Sequence, residues 1–282
     1  MLRLVILALL TAFVSFVSLA GGQMANNALT SNVLLRVLLI QTPSGRGTAF
    51  SMDVEGRQYL ITAKHVVKGL TGKHTISFRE KAAWSPIEVT VYPCADPVDI
   101  AVLVPPRVVT VNFPLEPASV KKIIVTQEVF FIGFPYGSAA QDDSPMFNGR
   151  PAPMAKHGIL STAVIDGVIR VDAHNNPGFS GSPIVLRYLE DRSNIPTFYV
   201  LGVVNSYFPE LAHVTNPEPV KPGEDLSKIE GWRIQNDNGR KVVLRDTPQQ
   251  VPLNSGILMG YSIDEALKVI HAHPVGPKIS RE

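Results

Sequence analysis

Cysteine is almost absent from this sequence. Cys94 is the only cysteine among 282 residues, so no disulfide can form within the chain. We interpret it as a small buried apolar residue and expect the fold to be stabilised by core packing, for which a hydrophobic content of 45% is sufficient. His271 and His273 stand two positions apart with no cysteine or second histidine pair to support them, so no metal site is predicted.

Charge is scarce as well. Charged residues make up 18% of the chain and the net charge is +2, which excludes the strongly basic surface of a nucleic-acid-binding protein. No nucleic acid is therefore expected as a partner. The chain also lacks any Asn-x-Ser/Thr sequence, so N-glycosylation gives no support for a eukaryotic secretory origin.

The N-terminal residues MLRLVILALLTAFVSFVSLA form an apolar run. An arginine at position 3 precedes the run and the small residues Ser18 and Ala20 end it, which is typical of a signal peptide at 1–20. The alternative is an uncleaved membrane anchor, because residues 4–20 make about 17 residues, near the lower limit for a membrane span. Both interpretations predict an exported protein, periplasmic or secreted, and cleavage predicts no stable membrane insertion.

Turn-forming residues, by contrast, are plentiful, with 23 prolines and 21 glycines. They separate short runs rich in β-branched and aromatic residues, which favour strands. One group of strands is predicted at 33–40, 48–52, 58–62, 75–78, 87–92 and 100–103, and a second at 128–132, 158–165, 168–172, 183–186, 198–206 and 256–262. Helical spacing of apolar residues at 263–271, with Ser262 as a cap, predicts one helix.

Helices that alternate with the strands are missing, which argues against a parallel α/β sheet. We predict an all-β fold of two six-stranded antiparallel β-barrels, at 32–115 and 125–271, with a C-terminal helix and a tail at 272–282. Residues 208–252 are rich in proline and charge and interrupt the second group of strands. We interpret them as an insertion with a hairpin that turns at Asn238-Gly239, either a lid beside the site or a solvated loop without a role.

The stretch NPGFSGSP at 176–183 sets a serine, Ser180, among glycines. A surface turn would explain the glycines. So would a nucleophile, because glycine lets backbone N–H groups crowd around a reacting oxygen. Nucleophilic serine also needs a base and a carboxylate that orients the base, both supplied from elsewhere in the chain.

Candidates for both partners precede the serine. His65 follows a strand-like run and is predicted as the base, while Asp99 opens an apolar strand, where a half-buried carboxylate needs a hydrogen-bond partner. Asp96 is the alternative carboxylate, although its neighbour Pro97 favours a turn. Each residue alone also has a structural interpretation. Their order, His, Asp, Ser, across two groups of strands favours catalysis, and it differs from the Ser, Asp, His order of α/β-hydrolases.

Three segments, LITAKHVV, DIAVL and NPGFSGSPIV, resemble the catalytic motifs of trypsin-like (chymotrypsin-fold) serine peptidases. They are most similar to the disulfide-free bacterial branch that includes the HtrA/Deg-like peptidases. GTAF at 47–50, FIGFP at 131–135 and LGVVN at 201–205 extend the resemblance over about residues 32–271, except the insertion. It implies chymotrypsin-like barrels, hydrolysis of protein or peptide substrates through an acyl-enzyme, and no cofactor.

The resemblance also implies roles for single residues. The implied catalytic residues are His65, Asp99 and Ser180, with the N–H groups of Gly178 and Ser180 as oxyanion donors. Lys64 departs from the family, which has a small residue there, and is expected to point to solvent. In family members that are activated by proteolytic cleavage, an aspartate precedes the catalytic serine and pairs with the new N-terminal amine. Phe179 stands at this position, so activation by such an ion pair is not predicted.

Substrate contacts are implied for Val203, Val204 and Asn205, and His174 is interpreted either as a residue that lines the primary pocket or as a loop residue without a role. His174 stands six residues before the serine, where trypsin itself carries the aspartate that selects basic substrates, so a preference for Arg or Lys is not supported. No PDZ-like module is expected after residue 271. The alternative function is that of a non-catalytic member of the fold that binds peptides or partners along its cleft.

Overall fold

The structure, a computed structural model, describes residues 29–110, 114–118, 123–139, 141–189 and 196–279. The predicted signal peptide at 1–20 and the end of the predicted tail, 280–282, lie outside the described residues. Within the described ranges, no helix combines the length and the apolar character needed to cross a membrane.

The first six strands close into an antiparallel barrel. They are β1 (Val37–Thr42), β2 (Gly45–Val54), β3 (Arg57–Thr62), β4 (Gly72–Glu80), β5 (Ala83–Pro93) and β6 (Ala101–Val104). Around the ring the order is β1-β2-β3-β6-β5-β4. Closure leaves no free sheet edge, and the interior is filled by apolar side chains such as Leu60, Ile76, Val91 and Leu103, which are all buried.

Ten further strands follow in the described part of the chain. They are β7 (Glu116–Pro117), β8 (Glu128–Gly133), β9 (Gln141–Ser144), β10 (Arg150–Ala152), β11 (Met154–Leu160), β12 (Val168–Asp172), β13 (Pro183–Leu189), β14 (Pro196–Pro219), β15 (Ile234–Asp237) and β16 (Arg240–Ser262). Six of them form the ring β8-β11-β12-β16-β14-β13, because β13 also pairs with β8 and β16 with β14. This repeats the strand order of the first barrel, and the predicted all-β, chymotrypsin-like fold is confirmed.

The predicted strand at 33–40 starts later than expected. Its first residues form a short helix, α1 (Ser31–Leu34), and β1 begins at Val37. Arg36 lies between the two and is fully buried, with its guanidinium 2.8 and 2.6 Å from the two carboxylate oxygens of Asp53. A buried cation needs its anion close by, and the turn of the chain at α1 brings this arginine to it.

The predicted strand at 158–165 is displaced in the other direction. β11 runs from Met154 to Leu160, because residues 154–159 pair with β8. The β-branched run that follows leads into a tight turn at Asp166-Gly167, where both residues have positive φ (51° and 73°). Turn geometry therefore overrides the strand propensity of this run.

The predicted helix is confirmed as α2 (Ile263–Ala272). Ser262 caps it as expected, since its hydroxyl accepts a hydrogen bond from the N–H of Asp264 at 3.3 Å. Ile263, Ala266 and Ile270 are buried on one face of the helix. This face belongs to the same apolar core as Ile132 of β8 and Ile100 at the start of β6.

Residues 207–256 form a second compact unit. Residues 207–219 of β14 and 240–256 of β16 belong to it, and β15 pairs with β16 across the predicted Asn238-Gly239 turn. Arg245 pairs with Glu218 and Glu224, each at 2.8 Å. The insertion predicted at 208–252 is thus folded into strands with ion pairs of its own.

Candidate active site

His65 is placed by the end of β3. The chain leaves β3 at Thr62 and enters a 3-10 turn, Lys64–Val67, in which Val66 and Val67 are buried. These two valines anchor the turn in the first barrel. The imidazole between Lys64 and Val66 stays 46% exposed, so one ring nitrogen can face a substrate.

Asp99 uses both carboxylate oxygens on His65. Oδ2 lies 2.7 Å from Nδ1 of the imidazole, and Oδ1 accepts the backbone N–H of His65 at 2.9 Å. A carboxylate accepts here, so Nδ1 carries a proton, and in the neutral imidazole Nε2 is the nitrogen with the lone pair. The pair therefore holds the imidazole in the tautomer and orientation that a general base requires.

Asp96 forms an ion pair with Lys64. Nζ of Lys64 donates to Oδ1 of Asp96 at 2.7 Å and to the carbonyl of Cys94 at 3.0 Å. The hydrogen bond from Lys64 lowers the pKa of Asp96, whose side chain is 95% exposed. Lys64, expected to point to solvent, is thus held by two acceptors, and of the two aspartates it is Asp99 that contacts the histidine.

Ser180 lies on a loop, residues 174–181, which we call the serine loop. The N–H of Phe179 donates to the carbonyl of Asn176 at 3.2 Å, and that of Gly181 to the carbonyl of Val204 at 2.8 Å. The N–H groups of Gly178 and Ser180, on either side of Phe179, donate to no acceptor in the described part of the chain. Two free backbone donors that flank one residue are what an oxyanion hole consists of.

The serine loop packs against the first barrel at Gly181. This glycine has φ +85°, and a Cβ there would lie 2.0 Å from the carbonyl oxygen of Thr48, 2.3 Å from Oγ1 of Thr62 and 3.0 Å from the nitrogen of Ala63. No side chain fits in that space. The loop is therefore set against the end of β3, two residues before His65.

The hydroxyl of Ser180 donates to the carbonyl of Asn205 at 3.4 Å. Among the described residues, no hydrogen bond joins this hydroxyl to His65. Catalytic hydrogen bonds are often long or poorly aligned in substrate-free enzymes and tighten when substrate binds.

A family model of a trypsin-like peptidase domain matches residues 47–189, just over half of the chain, and this range contains the His65–Asp99 pair and the serine loop. The chain belongs to the trypsin-like peptidase family. The resemblance inferred from the motifs is thereby confirmed, and proteins or peptides are the substrates that the family implies.

Solved structures of two proteases share the fold of this trypsin-like peptidase. The Rv3671c protease of M. tuberculosis H37Rv, in an inactive form, is 18% identical with a TM-score of 0.50, over 88% of this chain and 94% of that chain. The S227A variant of the HtrA-type protease AlgW, with a tripeptide, is 17% identical with a TM-score of 0.50, over 86% of this chain and 61% of that chain. At such identities the likeness concerns the fold alone. A comparison with curated proteins found no match.

The implied substrate-binding residues lie in different surroundings in this trypsin-like peptidase. Val203 and Val204 are completely buried. The carbonyl of Val204 accepts the N–H of Gly181, and its own N–H donates to the carbonyl of Ser182. Asn205, the next residue, accepts from the Ser180 hydroxyl. His174 has an exposed side chain on the serine loop. Their roles toward substrate remain predictions. For the buried Val203 such a role can involve only the backbone, and for Val204 both backbone groups already have partners within the protein.

Thr48 is a residue of the site that the sequence did not indicate. It is fully buried on β2, its N–H donates to the carbonyl of Ser180 at 3.0 Å, and its hydroxyl donates to the carbonyl of Gly178 at 2.9 Å. The same hydroxyl accepts from the N–H of Phe134 at 3.1 Å. A buried hydroxyl in an apolar strand was the available signal, but its partners lie some 86 and 130 positions away.

Replacing Thr48 with valine keeps the shape of the side chain and removes both hydrogen bonds of the hydroxyl. We expect the free energy of unfolding to fall by about 1–3 kcal/mol, because the backbone groups of Gly178 and Phe134 lose a buried partner. Urea denaturation measures the change. Thr48→Ser, which keeps the hydroxyl, is the matched control and should lose less. Equal losses in the two variants would show that the methyl group matters and the hydroxyl does not.

Proposed function

We propose that this protein is an exported serine endopeptidase. Ser180 is its nucleophile, His65 its general base and Asp99 the group that orients the base. The observation that carries the proposal is the contact of both Asp99 oxygens with His65, because it leaves Nε2 of a half-exposed imidazole as a proton acceptor. The description of the structural neighbours as proteases gives further support.

The reaction follows from these groups. Nε2 of His65 takes the hydroxyl proton as Oγ of Ser180 attacks the carbonyl carbon of the scissile peptide, and the carbonyl oxygen becomes an oxyanion. The free N–H groups of Gly178 and Ser180 stabilise it, each being worth about 10²–10³-fold in turnover in such sites. The imidazolium then gives its proton to the leaving amine, which leaves an acyl-enzyme. Water, deprotonated by the same nitrogen, releases the acid and restores Ser180.

The alternative is a non-catalytic protein of the same fold that binds peptides or partners along its cleft. One observation favours it, namely that the hydroxyl of Ser180 donates to the carbonyl of Asn205 and not to His65. The two proposals differ in the reactivity of this hydroxyl. A serine activated by a base reacts with fluorophosphonates, and one without a base does not.

A fluorophosphonate probe is expected to label the wild-type protein on one residue, and Ser180→Ala is expected to abolish labelling. Intact-mass spectrometry measures both. Wild-type protein that has not been treated with the probe should also cleave an unstructured protein such as casein, which an esterase would leave intact. A folded wild-type protein that neither takes up the probe nor cleaves would leave the non-catalytic alternative standing.

Asp99 and Asp96 provide a matched pair of substitutions three positions apart. Asp99→Asn places an amide against Nδ1 and disturbs the tautomer of His65, so we expect kcat/KM to fall by about 10³–10⁴-fold. Asp96→Asn removes only the exposed contact with Lys64 and is expected to leave kcat/KM within about twofold. Steady-state kinetics on a fluorogenic peptide measure both. Similar losses in the two variants would contradict the assignment of Asp99.

Export is the part of the proposal that rests on the N-terminal sequence. The apolar run at 4–20 ends in small residues, which supports cleavage near residue 20. N-terminal sequencing of the protein purified from its host is expected to begin close to residue 21. Full-length protein in the membrane fraction would instead indicate an uncleaved anchor, and full-length protein in the cytoplasm would contradict export.

A further inference from the structure

Lys156 reaches the serine loop from β11. Its Nζ donates to the carbonyl of His174 at 2.7 Å and to Oδ1 of Asn176 at 2.5 Å, and it lies 5.6 Å from the ring centroid of Phe179. Two neutral oxygens and an aromatic face therefore surround this ammonium. All three belong to the serine loop, so the attraction exerted by the charge is directed at that loop.

Asn176 connects Lys156 with Phe179 on the loop and with Tyr136 outside it. Its carbonyl accepts the N–H of Phe179 at 3.2 Å, and its Nδ2 donates to the hydroxyl of Tyr136 at 3.2 Å. The N–H of Tyr136 in turn donates to the carbonyl of Pro177 at 2.6 Å. Gly178, the next residue, is thereby held between two fixed neighbours.

Phe179 is the apolar part of the same arrangement. Its ring is fully buried and packs edge-on against Phe131 of β8, with centroids 5.0 Å apart. Phe131 is the β8 residue paired with Lys156 in the β11–β8 ladder. The strand pair therefore presents an ammonium and an aromatic ring side by side to the residue that separates the two free N–H groups.

We propose that Lys156 is a positioning residue of the peptidase, which holds the serine loop so that the N–H groups of Gly178 and Ser180 converge on the oxyanion. This inference rests on the proposed function. It adds a partly exposed lysine of β11 as the group that keeps the oxyanion donors in place. Lys156 touches neither substrate nor reacting atoms in this role.

The surroundings of Lys156 predict how pH affects the loop. The titratable and charged groups on the elements next to it are Tyr136, His174, Arg170 and Asp172 of β12, and the Glu128–His157 pair on β8 and β11, which is 3.6 Å apart. In the described residues none of these side chains bonds to Lys156, and burial lowers the pKa of the lysine. The ammonium is therefore lost as pH rises through a range below the ordinary lysine range, and the loop contact weakens in that range.

The test compares Lys156→Met, Lys156→Arg and wild type on a fluorogenic peptide. The methionine variant is expected to lose about 10²-fold in kcat at nearly unchanged KM, because misplaced oxyanion donors act on the transition state and not on ground-state binding. The arginine variant should recover most of kcat and should extend activity to higher pH, because a guanidinium stays protonated. Lys73→Met, which removes a 75% exposed lysine on β4, is the matched control and should match wild type.

A second variant and a second measurement cover poor folding of Lys156→Met. Asn176→Leu removes one of the two acceptors of Lys156 and should lower kcat in the same way as the methionine variant. Hydrogen exchange of a peptide spanning 174–182 reports on the loop whether or not the protein is catalytic, and exchange should be faster in Lys156→Met than in Lys156→Arg. Unchanged kcat, alkaline limit and loop exchange in a folded Lys156→Met would overturn the inference. Absence of Ser180-dependent activity in wild type would instead contradict the proposed function and leave the exchange result to decide on the loop.

Discussion

The close approach of the serine loop to the first barrel at Gly181 is the constraint on which the site depends. The space beside this residue is taken by the carbonyl oxygen of Thr48 and the hydroxyl of Thr62, so only a glycine lets the two barrels come this near. Ser180 is the preceding residue, and its carbonyl accepts the N–H of Thr48 at 3.0 Å. A single backbone-to-backbone contact thus sets the register between a serine from one barrel and a histidine at a strand end of the other.

The same logic explains how the chain keeps a precise site without a disulfide. The serine loop is held by hydrogen bonds to several side chains, among them the fully buried Thr48 and the partly exposed Lys156. Asn175, itself buried, adds a bond from Nδ2 to the carbonyl of Ser206 at 2.9 Å. Hydrogen bonds that are shielded from water are costly to break, because the groups left behind lose a partner that water does not replace. Such bonds restrain the loop in the folded state, where a disulfide acts mainly on the unfolded one.

The sequence predicted the strands well where apolar residues alternate between turn residues, and it predicted the helix from its cap. It placed His65 and Asp99 together because a half-buried carboxylate needs a donor, and the structure has that contact at 2.7 Å. It could not indicate Thr48 or Lys156, because a hydroxyl or an ammonium acquires its role only from partners that are distant in the chain. The starts of β1 and β11 were misplaced for the same reason, since a buried ion pair and the pairing with β8 decide them and local propensity does not.

Charge is distributed along the site in a way that suits the proposed reaction. At one end, both carboxylate oxygens of Asp99 accept hydrogen bonds from His65. At the other end are the free N–H groups of Gly178 and Ser180. The ammonium of Lys156 contacts the same loop, and among the described residues no carboxylate bonds to it. As Ser180 gives up its proton, positive charge moves toward the carboxylate and negative charge toward the donors. Asp99 stabilises the first charge and the two N–H groups stabilise the second. Because these groups are in place beforehand, only the Ser180 hydroxyl has to turn from Asn205 towards His65.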